Sequence, residues 1–148
     1  MKLSEAALYS FVSAALAVIV ILPAATEADA PDDELIYMVP NYLQIRGIAR
    51  SFGVLVKELP LQEELGWQWD IDELRSRISK KTKMIAVCHP NNPTGSIVSV
   101  DNMRRIIDIA SEIDCWILPY LINIKDNRYH HKVDEKKSAN FVPTAIAT

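Results

Sequence analysis

The stretch that decides the fold spans residues 84–95 and reads Met-Ile-Ala-Val-Cys-His-Pro-Asn-Asn-Pro-Thr-Gly. Its first five residues are apolar without interruption, which is typical of a strand buried on both faces of a sheet. Two prolines and a glycine follow within seven residues, and they predict a rigid, turning loop. Ser99 then has the character of a helix cap, and the apolar face of the helix after it consists of Met103, Ile106, Ile107 and Ala110. The sequence therefore predicts a strand, a loop and an amphipathic helix in that order.

The same alternation extends to both sides of this stretch. Three further apolar runs predict buried strands, at residues 35–39, 54–56 and 115–118. A helix is predicted over residues 44–51 with Gly53 as its stop, and Trp67 and Trp69 are expected to cover apolar surface. A second helix begins at Asp70, for which Glu73 would complete a capping box, and its buried face consists of Ile71, Leu74 and Ile78. Apolar strands separated by amphipathic helices predict an α/β fold, a parallel-rich sheet with helices on both faces.

The overall composition is that of an ordinary globular protein. The 148 residues are 49 % hydrophobic and 24 % charged, and the formal net charge of −3 gives no support for nucleic-acid binding. Each of the two cysteines, Cys88 and Cys115, sits beside an apolar run, so we interpret them as buried thiols in a reducing compartment rather than as a disulfide.

The first 25 residues allow three interpretations. Lys2 followed by an apolar stretch up to Ala25 resembles a secretory signal, and the stretch is nearly long enough for a membrane anchor. Glu5 is out of place in a signal, however, and the run divides into a helix and a strand at residues 18–22. We favour the folded-core interpretation and a cytoplasmic protein, with secretion or membrane association as the alternatives. The expected organisation is an apolar N-terminal helix over residues 1–17, a domain over 18–124 and a poorly ordered polar tail over 125–148.

The loop at residues 89–95 also carries a resemblance to a known family. His-Pro-Asn-Asn-Pro-Thr-Gly, between a buried strand and an amphipathic helix, resembles the Asn-Pro-Asn-Asn-Pro-Thr-Gly signature of class I/II, fold-type I aminotransferases and differs from it only at His89. Residues 40–42 resemble the family's Pro-x-aromatic segment, and residues 66–74 resemble the stretch that leads to its next helix. The resemblance runs from about residue 18 to 118. It implies part of a large domain that binds pyridoxal 5′-phosphate (PLP), amino-group transfer between an amino acid and a 2-oxo acid, and a homodimer in intact relatives.

The resemblance implies roles for five residues. Asn92 would donate its amide to the phenolic oxygen of the PLP ring, and Tyr42 would stack on the ring face. Ala25 and Thr26 would meet the phosphate at a helix N-terminus. Tyr120 would stand at the end of the strand that carries the ring-nitrogen partner. Without the resemblance, the asparagine loop is a turn, Tyr42 a surface aromatic and Thr26 an ordinary loop residue.

Three departures from the family pattern bear on activity. Only four residues separate Thr26 from Pro31, where the family has a helix of about three turns. Tyr120 stands where the family has the aspartate that pairs with the ring nitrogen, or a short deletion has removed that aspartate. No lysine of this sequence lies three residues after a serine, the family's context for the lysine that holds PLP. The sequence therefore predicts no catalytic residue of its own, and a truncated copy that is inactive alone.

Two rival hypotheses stay open. The chain could be a non-catalytic, degenerate fragment that binds PLP weakly, or a secreted or anchored α/β domain in which the motif arose by chance. The adjacent histidines at 130 and 131 on a polar segment are expected to be solvated, so no metal site is predicted.

Overall fold

A computed structural model describes residues 33–120 of the chain. They form four strands, β1 (Glu34–Val39), β2 (Leu55–Pro60), β3 (Thr82–Cys88) and β4 (Trp116–Tyr120). Three helices connect them, α1 (Gln44–Ser51), α2 (Ile71–Arg77) and α3 (Val100–Glu112), with one 3₁₀ turn at Glu63–Leu65. Several predictions fall outside the described residues, namely the N-terminal helix, the strand at 18–22, the site residues Ala25 and Thr26, the polar tail and both boundaries between the three predicted segments.

The sheet is parallel in all of its described pairings and has the order β2-β1-β3-β4. The connections from β1 to β2 and from β2 to β3 run in opposite directions across the sheet, and parallel crossovers are right-handed. Right-handed crossovers place α1 on one face and α2 and α3 on the other. The guanidinium of Arg75 on α2 accordingly binds the carboxylate of Glu112 on α3, with a shortest N–O distance of 2.9 Å. The predicted α/β class with helices on both faces is confirmed.

The core lies on both faces of the two central strands. Side chains in the middle of β1 and β3 have no exposed surface at all, namely Ile36, Tyr37, Met38, Ile85, Ala86 and Val87. From the helices, Leu74 and Ile106 are equally buried. Ile109 is also fully buried although the predicted apolar face of α3 did not include it, whereas Met103 and Ile107 are only half-buried. The face of α3 that meets the sheet is therefore rotated slightly from the one that the pattern indicated.

The prediction of β2 as a short, wholly apolar strand was wrong in its length and in its polarity. The strand begins at Leu55 rather than Val54 and continues to Pro60 through the charged residues Lys57 and Glu58. Among the described strands β2 pairs only with β1, so it lies at an edge, where polar side chains and a proline are tolerated. Likewise, β4 starts one residue later than expected and includes Pro119 and Tyr120.

The helix caps follow the prediction. The Asp70 carboxylate accepts hydrogen bonds at 3.0 Å from the backbone N–H groups of Asp72 and Glu73, and Ser99 Oγ accepts one from Asn102 N–H at 3.2 Å. The capping box, however, is only half made, because the carboxylate of Glu73 binds Arg77 instead. Gly53 follows α1 with φ +79°, a left-handed conformation that favours glycine at a helix end.

Replacing Asp70 with alanine is expected to lower the free energy of unfolding by about 1 kcal/mol, because two backbone donors at the start of α2 lose their acceptor. Chemical denaturation of the purified chain measures the change. The Asp70→Asn variant keeps a capping oxygen and should retain most of the stability. Equal losses in both variants would mean that the charge of Asp70, not its capping bond, stabilises the helix.

Both cysteines are free and buried, as predicted. The Cys88 thiol donates to the carbonyl oxygen of Pro90 at 3.3 Å. Burial, and to a lesser degree the neighbouring charge of Asp114, raises the pKa of the Cys115 thiol to about 12. Because the thiolate is the reactive form, Cys115 is inert at neutral pH.

We therefore expect a chromogenic disulfide reagent at about pH 8 to label the native chain far more slowly than the denatured chain, in which both thiols are accessible. A stoichiometric fast phase in the native chain would contradict the buried arrangement of Cys88 and Cys115. Mass spectrometry of the labelled chain identifies which thiol has reacted.

Within residues 33–120, no helix has the length and apolarity needed to cross a membrane. The apolar stretch in the first 25 residues lies outside that range.

Candidate functional site

The carboxyl ends of β1 and β3 lie side by side in the sheet, since Tyr37 of β1 is in register with Ala86 of β3. After β1 the chain crosses to β2 on one side, and after β3 it crosses to β4 on the other. This divergence is the switch point of an open parallel sheet, where a crevice forms because neighbouring loops turn away from each other. Ligands of open parallel sheets generally bind at such a point, which here lies between the loops that follow Val39 and Cys88.

An open groove of about 660 Å³ occupies that position. Residues from both loops and from the start of α1 line it, namely Asn41, Tyr42, Leu43, Gln44, Gly47, Ile48, Asn92 and Pro93. Tyr42 presents 54 % of its surface, and Asn92 is half-buried. The two residues were singled out from segments fifty positions apart in sequence, and the fold brings them to one groove.

The loop that carries Asn92 is fixed by the residue before it. Asn91 is only 4 % exposed, and its side-chain amide nitrogen donates to the carbonyl oxygen of Pro40 at 3.1 Å and to Thr94 Oγ1 at 2.8 Å. Its backbone N–H donates to Ser96 O at 2.8 Å, and its carbonyl accepts from Gly95 N–H at 2.7 Å. Gly95 has φ +71°, which explains the glycine at this turn. Asn91 thus closes its own loop and ties it to the end of β1.

The far side of the loop is anchored to the segment that contains the two tryptophans. The side chain of Gln68 donates to Ile97 O at 2.9 Å and accepts from Ser99 N–H at 3.1 Å. Asn102 on α3 donates to Trp69 O at 3.1 Å. His89, at the single position that departs from the family signature, accepts from Val98 N–H through Nδ1 at 3.0 Å, so its proton resides on Nε2 when the ring is neutral. The rigidity that the two prolines predicted is thus reinforced by side chains on both sides.

The turn after β1 is held in the same manner. The hydroxyl group of Tyr37, a residue with no exposed surface, donates to the carbonyl oxygen of Tyr42. The backbone N–H of Tyr42 donates to Asn41 Oδ1 at 2.7 Å. The exposed ring of Tyr42 is therefore attached to a backbone that buried groups fix.

No residue that lines the groove carries a charge. Within the described residues, two groove amides, Asn41 Nδ2 and Gln44 Nε2, lack a hydrogen-bond partner. The groups with shifted pKa values lie elsewhere. Glu34 is at the opposite end of β1, and the Arg75–Glu112 pair, in which Arg75 lowers the pKa of Glu112, joins α2 to α3. The groove therefore offers neutral amides and apolar surface, and residues 33–120 contain no cluster of metal-binding side chains.

The remaining predicted site residues are less defined. Tyr120 ends β4, where its backbone is in register with Cys88, so it lies at the same carboxyl edge of the sheet as the groove. Ala25 and Thr26 are outside the described residues. The residue that sequence reasoning missed is Asn91. Its only signal was its place in a loop that had to be rigid, and two adjacent asparagines do not reveal which of them turns inward.

Comparison with known proteins identifies the family. The model of the family described as aminotransferase class I and II matches residues 3–119. This chain belongs to that family. The match covers most of the chain and excludes the hypothesis that the Asn-Pro-Thr-Gly motif arose by chance in an unrelated domain.

Several members of the aminotransferase family are similar to this chain. A histidinol-phosphate aminotransferase from Methanococcus aeolicus is 36 % identical over 77 residues, which cover 52 % of this chain and 21 % of that protein. A probable aspartate/prephenate aminotransferase from Aquifex aeolicus is 28 % identical over 86 residues, or 58 % of this chain and 22 % of that protein.

Two solved aminotransferase structures are similar in fold. An alanine aminotransferase from Pyrococcus furiosus superimposes with a TM-score of 0.63 at 33 % identity and covers 71 % of this chain and 26 % of its own length. An aspartate aminotransferase mutant from Thermus thermophilus superimposes with a TM-score of 0.65 at 27 % identity. This match covers 74 % of the present chain and 29 % of the Thermus chain. The present chain thus spans about a fifth of the curated relatives it matches and less than a third of these structures.

Proposed function

We propose that this chain supplies the ring-binding part of the large domain of a PLP-dependent aminotransferase. The observation that carries the proposal is the convergence of Tyr42 and Asn92 on one groove at the switch point of the sheet. Family membership supports the same function, because aminotransferases of this family depend on PLP.

The groove suits the ring of PLP. Its volume of about 660 Å³ lies within the range of small-molecule pockets. It combines an aromatic side chain with an amide donor, and no charged side chain lines it to compete for the ring. Ala25 and Thr26 would bind the phosphate of PLP, and the edge of the sheet near Tyr120 would face the ring nitrogen.

When PLP is bound, its ring supplies an electron sink for bonds at the substrate's α-carbon. Asn92 would donate its amide to the phenolic oxygen of the ring and favour the ionised form of that oxygen. Tyr42 would cover one ring face and exclude water from it. Because hydrogen bonds on both sides hold the loop of Asn92, the amide is already in place before the ring arrives, so little reorganisation is needed on binding.

The substrates are proposed only as a class. An amino acid and a 2-oxo acid are the reactants of this family, and a homodimer is the proposed assembly of the intact protein. The names of similar proteins indicate several different substrates, among them histidinol phosphate, aspartate and alanine. The residues that line the groove do not distinguish among these substrates.

A second candidate function is PLP binding without catalysis. One observation favours it for these 148 residues: β4 ends with Pro119 and Tyr120, and neither supplies a carboxylate to keep a ring nitrogen protonated. The sequence also lacks a lysine three residues after a serine. An assay of the 148-residue chain with PLP, several amino acids and 2-oxoglutarate tests this second candidate. PLP binding without turnover is the expected result for these 148 residues, and turnover would exclude it.

The central test is the Asn92→Ala variant. We expect it to bind PLP more weakly by about 1–3 kcal/mol, the usual cost of losing a hydrogen bond to a charged group. Equilibrium dialysis and quenching of tryptophan fluorescence give the two dissociation constants. Ser111→Ala is the control, because it removes an exposed hydroxyl group that bonds Ile107 O within α3, away from the groove, and should leave PLP affinity unchanged. Equal affinity of wild type and Asn92→Ala would mean that the loop is only a turn.

A further inference from the structure

Two buried side chains fix the relative positions of the two groove residues that would meet the ring. Asn91 reaches from the end of β3 to the carbonyl oxygen of Pro40, at 3.1 Å. Tyr37 reaches along β1 from inside the core to the carbonyl oxygen of Tyr42. Each of them donates a hydrogen bond to the backbone of the turn after β1, and neither lines the groove.

The chemistry of these bonds fixes their direction. A proline carbonyl can only accept, so the Asn91 side chain must present its nitrogen to Pro40, and the second N–H of the same nitrogen goes to Thr94. The oxygen of that amide, Oδ1, has no partner within the described residues. Asn91 thus commits both of its donors to the two segments that carry Tyr42 and Asn92.

Tyr42 depends on such an anchor. More than half of its surface is exposed, so contacts of its own ring hold it weakly. Its backbone carbonyl, in contrast, is bound by a hydroxyl from a residue that is completely buried between the sheet and its helices. The place of the ring in the groove is therefore set through the main chain.

We infer that Asn91 and Tyr37 are positioning residues that set the distance between the Tyr42 ring and the Asn92 amide, and through it the affinity of the groove for a flat aromatic ring. This inference rests on the proposed function, in which Tyr42 covers one face of the PLP ring and Asn92 donates to its phenolic oxygen. Neither Asn91 nor Tyr37 touches the ring, and both act through the residues that do.

A double-mutant cycle on PLP affinity tests the inference. Tyr37→Phe removes one hydroxyl group and keeps the packing, and we expect it to weaken PLP binding about tenfold, as for residues coupled through a shared contact. In a Tyr42→Ala background the same change should have no further effect, because the ring that Tyr37 places is absent. Asn91→Ala is expected to behave in the same way toward Asn92→Ala. Independent, multiplicative losses in both cycles would mean that the two residues act only on stability.

A measurement without ligand separates this inference from the proposed function. In a Tyr42→Cys/Asn92→Cys chain, the rate of crosslinking by a bifunctional thiol reagent of fixed length reports the spacing across the groove, and the native cysteines are buried. Adding Tyr37→Phe or Asn91→Ala should change that rate severalfold, whereas adding Ser111→Ala, the control on α3, should not. Failure of the wild-type chain to bind PLP would overturn the proposed function alone. An unchanged crosslinking rate in both Tyr37→Phe and Asn91→Ala would overturn the inference, and Tyr37→Phe keeps the test decisive if Asn91→Ala does not fold.

Discussion

Replacing Ile106 with alanine is expected to lower the free energy of unfolding by about 2–5 kcal/mol, one of the largest effects of any single substitution in this chain. Ile106 lies in the middle of α3, has no exposed surface, and belongs to the core between α3 and the sheet. The shortened side chain leaves a cavity that the rigid parallel sheet cannot collapse to fill. Urea denaturation followed by circular dichroism measures the loss.

Two further variants on α3 make the result specific. Ile106→Val removes a single methylene and should cost about 0.5–1.5 kcal/mol, so the two variants form a graded series. Val100→Ala, at a position that is 43 % exposed on the same helix, should change stability by only about 0.5 kcal/mol or less. Equal effects of Ile106→Ala and Val100→Ala would contradict the packing of α3 on the sheet.

The second large effect is expected at Glu34. This carboxylate is buried at the start of β1, where it binds Lys57 Nζ at 2.7 Å and accepts hydrogen bonds from Ser79 Oγ at 2.7 Å and Thr82 Oγ1 at 3.0 Å. Glu34→Ala removes the acceptor shared by one cation and two hydroxyl groups, although Lys57 Nζ keeps its bond to Arg77 O at 3.0 Å. Loss of one partner from a buried pair costs several kcal/mol, but Lys57 is 29 % exposed and can regain water, so we expect a loss of about 2–3 kcal/mol.

The contribution of Glu34 should also depend on pH. Burial by itself would raise the pKa of this carboxyl group, but the hydrogen bonds from Lys57, Ser79 and Thr82 outweigh burial and hold the pKa below its ordinary value of 4.5. A folded-state pKa below the unfolded one means that the stabilisation is complete above the unfolded pKa and disappears as the pH falls through the folded one. The stability difference between wild type and Glu34→Gln should therefore be constant from about pH 7 to 6 and shrink as the pH falls below 4.5, the ordinary pKa of this group.

Denaturation curves at several pH values, with an exposed pair as the control, check this expectation. Glu112 pairs with Arg75 on the surface, and Glu112→Gln should change stability little at any pH because solvent screens that pair. A Glu34→Gln difference that stayed the same down to the lowest pH would show that the charge of Glu34 does not stabilise the fold.

Local sequence determined much of this structure. The apolar run and the loop with two prolines predicted β3 and its turn. Asp70 and Ser99 predicted the starts of two helices because a short polar side chain caps free N–H groups wherever it precedes a helix. The α1 helix has the predicted bounds, since Gly53 can take the left-handed conformation that ends it. Tyr42 and Asn92 were singled out because the family motif marks their residue types at the ends of strands, and both line the groove.

Tertiary structure alone decided the features that depend on distant partners. The first strand was predicted to begin at residue 35, but Glu34 lies inside β1, where it binds Lys57, Ser79 and Thr82 from up to 48 positions away. The polar strand β2 was underestimated because only the strand order places it at an edge of the described sheet. Asn91 and Asn92 are the same residue type at adjacent positions. Asn91 is buried because its amide binds Pro40 O on the other side of the switch point, whereas Asn92 lines the groove. A sequence pattern reports what a residue can bond, whereas the strand order determines which partners lie within reach.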